Sequence, residues 1–340
     1  MILIETSGRF ERKTMTENNQ PLHHITPSGK HRNWRKHRLQ SIALGAAYKR
    51  LGVGFQKKSE RVFNCTRRID FAKPEEGQLG QTVINRYGCK DRLCPGCQST
   101  RSRKNFMELM GLYQHYKNSY PADRAAMLTL TMPNVSIATM KEDISALLTG
   151  FRKLTRRKPF EQAVRAWFRA LEVSYNQETG LYHPHIHALL LFPPHYFDKQ
   201  HNFYLNHQQW LKLWQQVMRR PDIKHLDIRM LKAHPLSNPE QGKELAMGKA
   251  IAEIAKYATK PADIFIPNGG GYTVDEQVIF ALAYTLKHRR LIAFSKVFRE
   301  FRRELTPSTK ESEIDELDVY VWLEQPDVQT VDYFLHEFCT

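Results

Sequence analysis

His183, His185 and His187 stand at alternate positions in the stretch 170–192, which also carries Glu172. Read as two extended segments joined by the turn Gln177-Glu178-Thr179-Gly180, this stretch is a β-hairpin. Pairing the segments about that turn sets Glu172 opposite His185 and Ala170 opposite His187. Alternate strand residues share a face, so the imidazoles and the carboxylate project to one side. Two imidazoles and a carboxylate converging there make a divalent-metal site with coordination positions left open. A single strand histidine is ordinarily a half-buried, satisfied residue; three alternating rings opposite a glutamate exceed what packing asks for. Whether His183 joins the ligands stays open. Ala188-Leu189-Leu190-Leu191 is apolar enough to hold the strand inside a sheet.

The cysteines form a second constellation. Cys89, Cys94 and Cys97 are tightly spaced around a Cys-Pro-x-Cys knuckle, and Cys65 lies upstream. No run of about eighteen apolar residues occurs, and the apolar start Met1-Ile2-Leu3-Ile4 is too short for a signal peptide. The expected compartment is therefore the cytoplasm, where disulfides are rare, so the clustered thiols read as structural zinc ligands. Four thiolates require Cys65; Cys339, near the C-terminus, reads as a free thiol. Arg86, Lys90, Arg92, Arg101, Arg103 and Lys104 surround the knuckle and would let it touch nucleic acid as well.

The third constellation is Glu253, Tyr257 and Lys260. The pattern predicts a helix from Lys243 to Lys260, stopped by Pro261, with Met247, Ile251, Ile254 and Ala258 on the apolar stripe. Glu253 and Tyr257 are then one turn apart on the other side, with Lys260 three residues further on. About one tyrosine in a thousand is phenolate at pH 7. A neighbouring ammonium and a metal-bound phosphate would help Tyr257 act as a nucleophile. By itself, however, the trio reads as a surface tyrosine in a helical charge network.

Charge points to the partner. The 340 residues hold 51 Lys and Arg against 35 Asp and Glu, for a net +16. Residues 311–340 hold nine acids and no Lys or Arg, so residues 1–310 set 51 bases against 26 acids, a net +25. A body that basic calls for a polyanion, and nucleic acid fits best.

The elements that position these residues read as follows. Residues 1 to about 33 are polar and expected to be disordered, and 34–51 predict a basic helix, either DNA-contacting or merely solvated. Helix is predicted over 103–116, strand over 126–131, helix over 139–158 ended by Pro159, helix around Leu205–Val217, and strand over 226–231. Asn268-Gly269-Gly270-Gly271 reads as a flexible loop and 274–304 as helix. The resulting division is a basic arm (1–60), a zinc-binding segment (61–120), a catalytic domain (121–305) and an acidic tail (306–340).

Three motifs in order resemble the HUH endonucleases and, within them, the plasmid rolling-circle replication initiators. Leu128-Thr129-Leu130-Thr131 is similar to their first motif, His183-Pro184-His185-Ile186-His187 to their metal motif, and Lys256-Tyr257-Ala258-Thr259-Lys260 to their nucleophile motif. The cysteine knuckle is similar to that of one subgroup. The likeness runs from about Arg61 to Arg299. It implies an α+β fold, a central antiparallel sheet flanked by helices with the metal motif on a middle strand, preceded by an N-terminal zinc-binding segment. It also implies a nickase working through a 5′-phosphotyrosine. His185 and His187 would hold Mg²⁺ or Mn²⁺ with Glu172 as third ligand, Tyr257 would attack, and Lys260 would steady phosphate. Many relatives carry a second tyrosine where this chain has Glu253, which resembles the subgroup that ends replication with a carboxylate-activated water. The implied partners are origin DNA, host helicase and host polymerase, with no membrane. A transposase or relaxase of the same chemistry, a non-haem iron oxygenase, and a non-enzymatic zinc-bearing DNA-binding protein are the rival readings.

Overall fold

Three long segments rich in β-branched, aromatic and leucine residues are buried on both faces, so each face of the sheet they form must be covered. Helices cover both. The computed structural model describes residues 23–25, 31–72, 83–198, 203–233, 238–256, 258–305 and 328–332, in two compact units.

The smaller unit comprises the described parts of 1–97, 268–272 and 311–340. Helix α1 (Trp34–Arg50) buries Trp34, Leu39, Leu44, Ala47 and Tyr48, so it is an integral helix rather than a merely solvated one. It crosses α2 (Gln56–Phe63) closely: a Cβ on Gly45 would stand 2.9 Å from the Phe63 backbone, and the Ser59 hydroxyl donates to the Gly45 carbonyl at 2.7 Å. A three-stranded antiparallel sheet sets Arg68–Ala72 between Val83–Arg86 and Val328–Asp332, the last drawn from the acidic C-terminal segment. The expectation of disorder over residues 1 to about 33 falls outside the described residues, apart from the paired strands His23–Ile25 and His31–Asn33.

The larger unit comprises the described parts of 98–267 and 273–310. Its strands β1 (Arg124–Thr131), β2 (Ala166–Asn176), β3 (Leu181–Phe192), β4 (Leu226–Met230) and β5 (Ile292–Phe294) form one antiparallel sheet in the order β5-β2-β3-β1-β4. The histidine strand β3 is the middle one, as the resemblance implies. In the hairpin, Glu172 faces His185 and Ala170 faces His187, the register set by the four-residue turn. Gly180 closes that turn at φ +67°, a left-handed conformation that costs glycine little.

One face of this sheet packs against α3 (Pro95–Ser119), whose Leu109, Leu112 and Tyr116 join Phe168, Leu189 and Leu191. On the other face Phe151 of α4 (Met140–Leu154) meets the edge of Trp167. The short α5 (Lys158–Ala163) follows, then α6 (His207–Met218), opened by a capping box between Asn206 and Gln209. Trp214 of α6 donates its indole N–H to the Thr131 carbonyl at 2.9 Å. Helices α7 (Pro239–Ala255), α8 (Pro261–Ile264), α9 (Glu276–Leu286) and α10 (Lys296–Leu305) complete the unit; Ile251 and Ile254 of α7 and Phe298 of α10 join the α3 core.

Several boundaries differ from the sequence reading, each for a local reason. Helix α4 ends at Leu154, and Pro159 opens α5 instead of closing its predecessor, since a first turn does not need the missing N–H. Helix α7 stops at Ala255 rather than at Lys260. Beyond it the Ala258 carbonyl accepts from the Val173 amide at 2.8 Å, so the chain joins the edge of β2 rather than its own helix. Within 274–304, Ile292–Phe294 is extended because that same edge offers partners at Phe168–Ala170. Residues 268–271 form a tight hairpin turn, not a loose loop: Gly269 (φ +51°) and Gly270 (φ +93°) supply the two left-handed positions of a type I′ turn.

Candidate active site

Hairpin register and sheet order together bring Glu172, His185 and His187 onto the face that carries α7. Glu172 is almost fully buried. Its Oε2 lies 3.3 Å from the Nε2 atoms of both His185 and His187. Each ring is held from behind. His185 Nδ1 lies 3.1 Å from the His183 carbonyl, and His187 Nδ1 lies 3.1 Å from the Thr129 hydroxyl. Both nitrogens of His185 therefore face oxygen acceptors, which a neutral imidazole with one N–H cannot satisfy. An imidazolium with two N–H donors, or a cation between Nε2 and Oε2, would satisfy them. Burial by itself would raise the Glu172 carboxyl, but the hydrogen bonds and charges of His185 and His187 hold it well below the usual carboxylate range. Its other oxygen, Oε1, is buried without a hydrogen-bond partner. A buried carboxylate oxygen without a hydrogen bond, beside one oxygen shared by two rings, fits a divalent cation held by an O, N, N set.

His183 stands beside this group rather than in it. The three atoms that converge belong to Glu172, His185 and His187, while His183 Nδ1 lies 2.9 Å from Asn134 Oδ1.

Two further predicted residues reach the rim. Glu253 of α7 places Oε1 4.0 Å from His187 Nε2, and its Oε2 pairs with Lys256. The Lys260 ammonium, just before α8, lies 3.7 Å from Glu172 Oε1. Tyr257 lies outside the described residues. Its neighbours do not: Lys256 pairs with Glu253, and the Ala258 carbonyl is bonded to Val173, the residue after Glu172. Sequence reasoning missed Thr129 and Asn134 as ring partners. The pairing of β1 with β3, which sets Thr129 opposite His187, was the signal that no local spacing carried.

In the smaller unit Cys65, Cys89, Cys94 and Cys97 come together, all buried and none in a disulfide. Sulfur separations are 3.4 Å (Cys65–Cys94) and 3.6 Å (Cys65–Cys97 and Cys89–Cys97). Four thiolates about 2.3 Å from a tetrahedral zinc would stand about 3.8 Å apart, so the cluster fits that ion closely. Hydrogen bonds with Cys89, Cys94 and Cys97 hold the Cys65 thiol far below its ordinary value, while those of Cys89 with Cys65, Cys94 and Cys97 push the Cys89 thiol far above. Four buried thiolates cannot coexist without a cation. Arg86 donates to Cys65 Sγ and Cys97 Sγ at 3.7 Å, and the Ser41 hydroxyl lies 3.3 Å from Cys94 Sγ. Cys339 lies outside the described residues.

A family model described as a replication protein, Rep_1, matches residues 81–334. The chain belongs to this replication-protein family. Protein rep of Streptococcus pneumoniae is 32% identical over 284 residues, covering 84% of this chain and 83% of the relative. Protein rep of Bacillus amyloliquefaciens is 33% identical over 292 residues, covering 82% and 84%. Protein rep of Lactiplantibacillus plantarum is 31% identical over 286 residues. No solved structure matches the chain. The match bears out the motif resemblance to plasmid rolling-circle initiators and extends past Arg299 into the acidic segment, whose residues 328–332 form a strand of the smaller unit. A replication initiator works on DNA, in keeping with the basic body. Among the described residues of this replication protein no helix is long and apolar enough to cross a membrane.

Proposed function

We propose that this replication protein nicks one strand of a plasmid origin with Tyr257, keeps the 5′ end as a phosphotyrosine, and ends replication by hydrolysis at Glu253. His185, His187 and Glu172 hold Mg²⁺ or Mn²⁺, and the four cysteines hold structural Zn²⁺. A divalent cation held by His185, His187 and Glu172 would polarise the scissile phosphate and offset the charge of the transition state. The Tyr257 oxygen attacks phosphorus in line; the bond to the 3′ oxygen breaks, and the phenolic proton ends on that oxygen as a 3′-hydroxyl. Host polymerase extends this hydroxyl behind a host helicase. Lys260, exposed at the rim, steadies phosphate or phenolate. In the closing step Glu253 takes a proton from water, the water oxygen attacks phosphorus, the bond from phosphorus to the Tyr257 oxygen breaks, and Glu253 returns the proton so that Tyr257 leaves as the phenol.

The observation that carries this reading is the convergence of both Nε2 atoms on one oxygen of a buried glutamate, with Glu253 and Lys260 at 4.0 and 3.7 Å from the group. The bonding of Ala258 beside Glu172 supports Tyr257 as the nucleophile. The test is incubation with single-stranded origin oligonucleotides and Mn²⁺, read on denaturing gels. A covalent adduct is expected from the natural protein and none from Tyr257→Phe, with DNA binding retained. An undiminished adduct from Tyr257→Phe would place the nucleophile elsewhere.

A further inference from the structure

Leu128-Thr129-Leu130-Thr131 is the motif for which the proposed chemistry has no task. Alternation along β1 divides it in two. Leu128 and Leu130 are fully buried on one face, while Thr129 and Thr131 stand opposite His187 and His185 on the other. The two threonines then part company. Thr131 donates its hydroxyl to the His225 carbonyl at 2.8 Å, whereas Thr129 Oγ1 lies 3.1 Å from His187 Nδ1. His185, by contrast, is gripped at Nδ1 by a backbone carbonyl, that of His183. A carbonyl only accepts, but a hydroxyl accepts or donates.

We propose that Thr129 is a positioning residue for His187, a hydroxyl grip that keeps Nε2 aimed at Glu172 Oε2 whichever ring nitrogen carries the proton. The inference rests on the metal-site reading above. In the metal-free site, Nε2–H donates to Glu172 across 3.3 Å and Nδ1 accepts from the Thr129 hydroxyl. When Nε2 gives its lone pair to a cation, the proton lies on Nδ1 and Thr129 accepts it. A backbone carbonyl in that position would serve only the second arrangement. Thr129 thus lets the site load and release a cation without the ring turning.

Thr129→Val tests this, because it keeps the branched shape, suits a strand and removes only the hydroxyl; Thr129→Ser keeps the hydroxyl. Long-range ¹H–¹⁵N spectra of the metal-free proteins report which nitrogen of His187 is protonated. The EPR signal of free Mn²⁺ reports affinity. The natural protein and the Ser variant should show one set of His187 ring signals, and the Val variant several, as the ring no longer held at Nδ1 takes more than one orientation. Mn²⁺ affinity should fall about 10–100-fold in the Val variant, the usual cost of losing a partner behind a metal-binding ring, and only a few-fold in the Ser variant. An unchanged His187 spectrum together with unchanged Mn²⁺ affinity in Thr129→Val would overturn the proposal. His187→Ala is the control for the underlying reading: if it left Mn²⁺ affinity unchanged, the metal site would fall, while the metal-free spectra would still judge Thr129 by itself.

Discussion

The four cysteines and the Glu172–His185–His187 group are both buried clusters of potential metal ligands, yet they are built for opposite ends. The cysteine cluster is closed. Each of the four sulfurs lies within 3.6 Å of at least one other, and the Arg86 and Ser41 side chains stand against the sulfurs. The second group is open: three donors from adjacent strands converge, and their free side is bordered by half-exposed Glu253 and exposed Lys260. Four soft donors saturate a tetrahedral ion and leave nothing for a substrate, whereas three harder donors leave positions for phosphate and water. On the proposed reading, closure marks a staple and openness a workplace.

The most severe loss is expected at the cysteine cluster. Cys94→Ser should leave the smaller unit unfolded or insoluble, because structural zinc contributes on the order of 10 kcal/mol of folding free energy in small domains. Strong chelation of the natural protein should lower its melting temperature in the same direction. A folded Cys94→Ser protein, with no zinc by elemental analysis of the natural one, would show that the cluster is only packed thiols.

At the workplace the same kind of loss should spare the fold. His187→Ala or His185→Ala should abolish detectable nicking while circular dichroism and melting temperature stay near normal, since the sheet core is carried by residues such as Leu189, Leu190 and Phe168. A cooperative loss of structure in either variant would make the group a structural centre like the first.

Glu253 separates the opening from the closing step within the open site. Glu253→Gln keeps the shape and removes the proposed base, so nicking should continue near its normal rate while release of the phosphotyrosine slows by ~10²–10⁴-fold. Covalent product would accumulate as replication runs past one unit length. If Glu253 merely pairs with Lys256, both steps should be alike and nearly unaffected, a few tenths of a kcal/mol at most. Equal loss of both steps would make it a ligand or a positioning residue instead.

Both clusters were legible before the structure, for different reasons. The hairpin could be paired from its turn alone, because a four-residue connection fixes register locally, and Glu172 then had to face His185. The cysteines announced themselves by type and spacing, and Cys65 was added because a tetrahedral ion needs a fourth thiolate. What could not be read was set by distant partners. The free edge of β2 recruits Ala258 and Ile292–Phe294 across large sequence separations, so α7 ends early and a strand interrupts the expected C-terminal helix. Thr129 was visible as part of a motif, but its task required the pairing of β1 with β3.

The smallest expected effect concerns His183, the residue whose place the sequence leaves open. On the same strand face as His185 and His187, it has the chemistry of a fourth ligand, and a fourth ligand would make the workplace more like the staple. The geometry argues otherwise. Its ring centroid is 5.3 Å from that of His185, and its Nδ1 is taken by Asn134 Oδ1 at 2.9 Å. Burial, then the neighbouring His185, lowers its pKa, with Glu172 pulling the other way, so the ring is suited to a neutral hydrogen-bonding role. His183→Ala should therefore weaken Mn²⁺ binding by no more than a few-fold and slow nicking modestly, because it removes a ring beside the ligands and leaves the His183 carbonyl that holds His185 in place. His183→Asn, which keeps a hydrogen-bonding side chain, should recover most of that loss. Titration of Mn²⁺ into the two variants and into His185→Ala decides the matter. If His183→Ala costs as much affinity as His185→Ala, the ion is held by three imidazoles and the open site has one position fewer for its substrate.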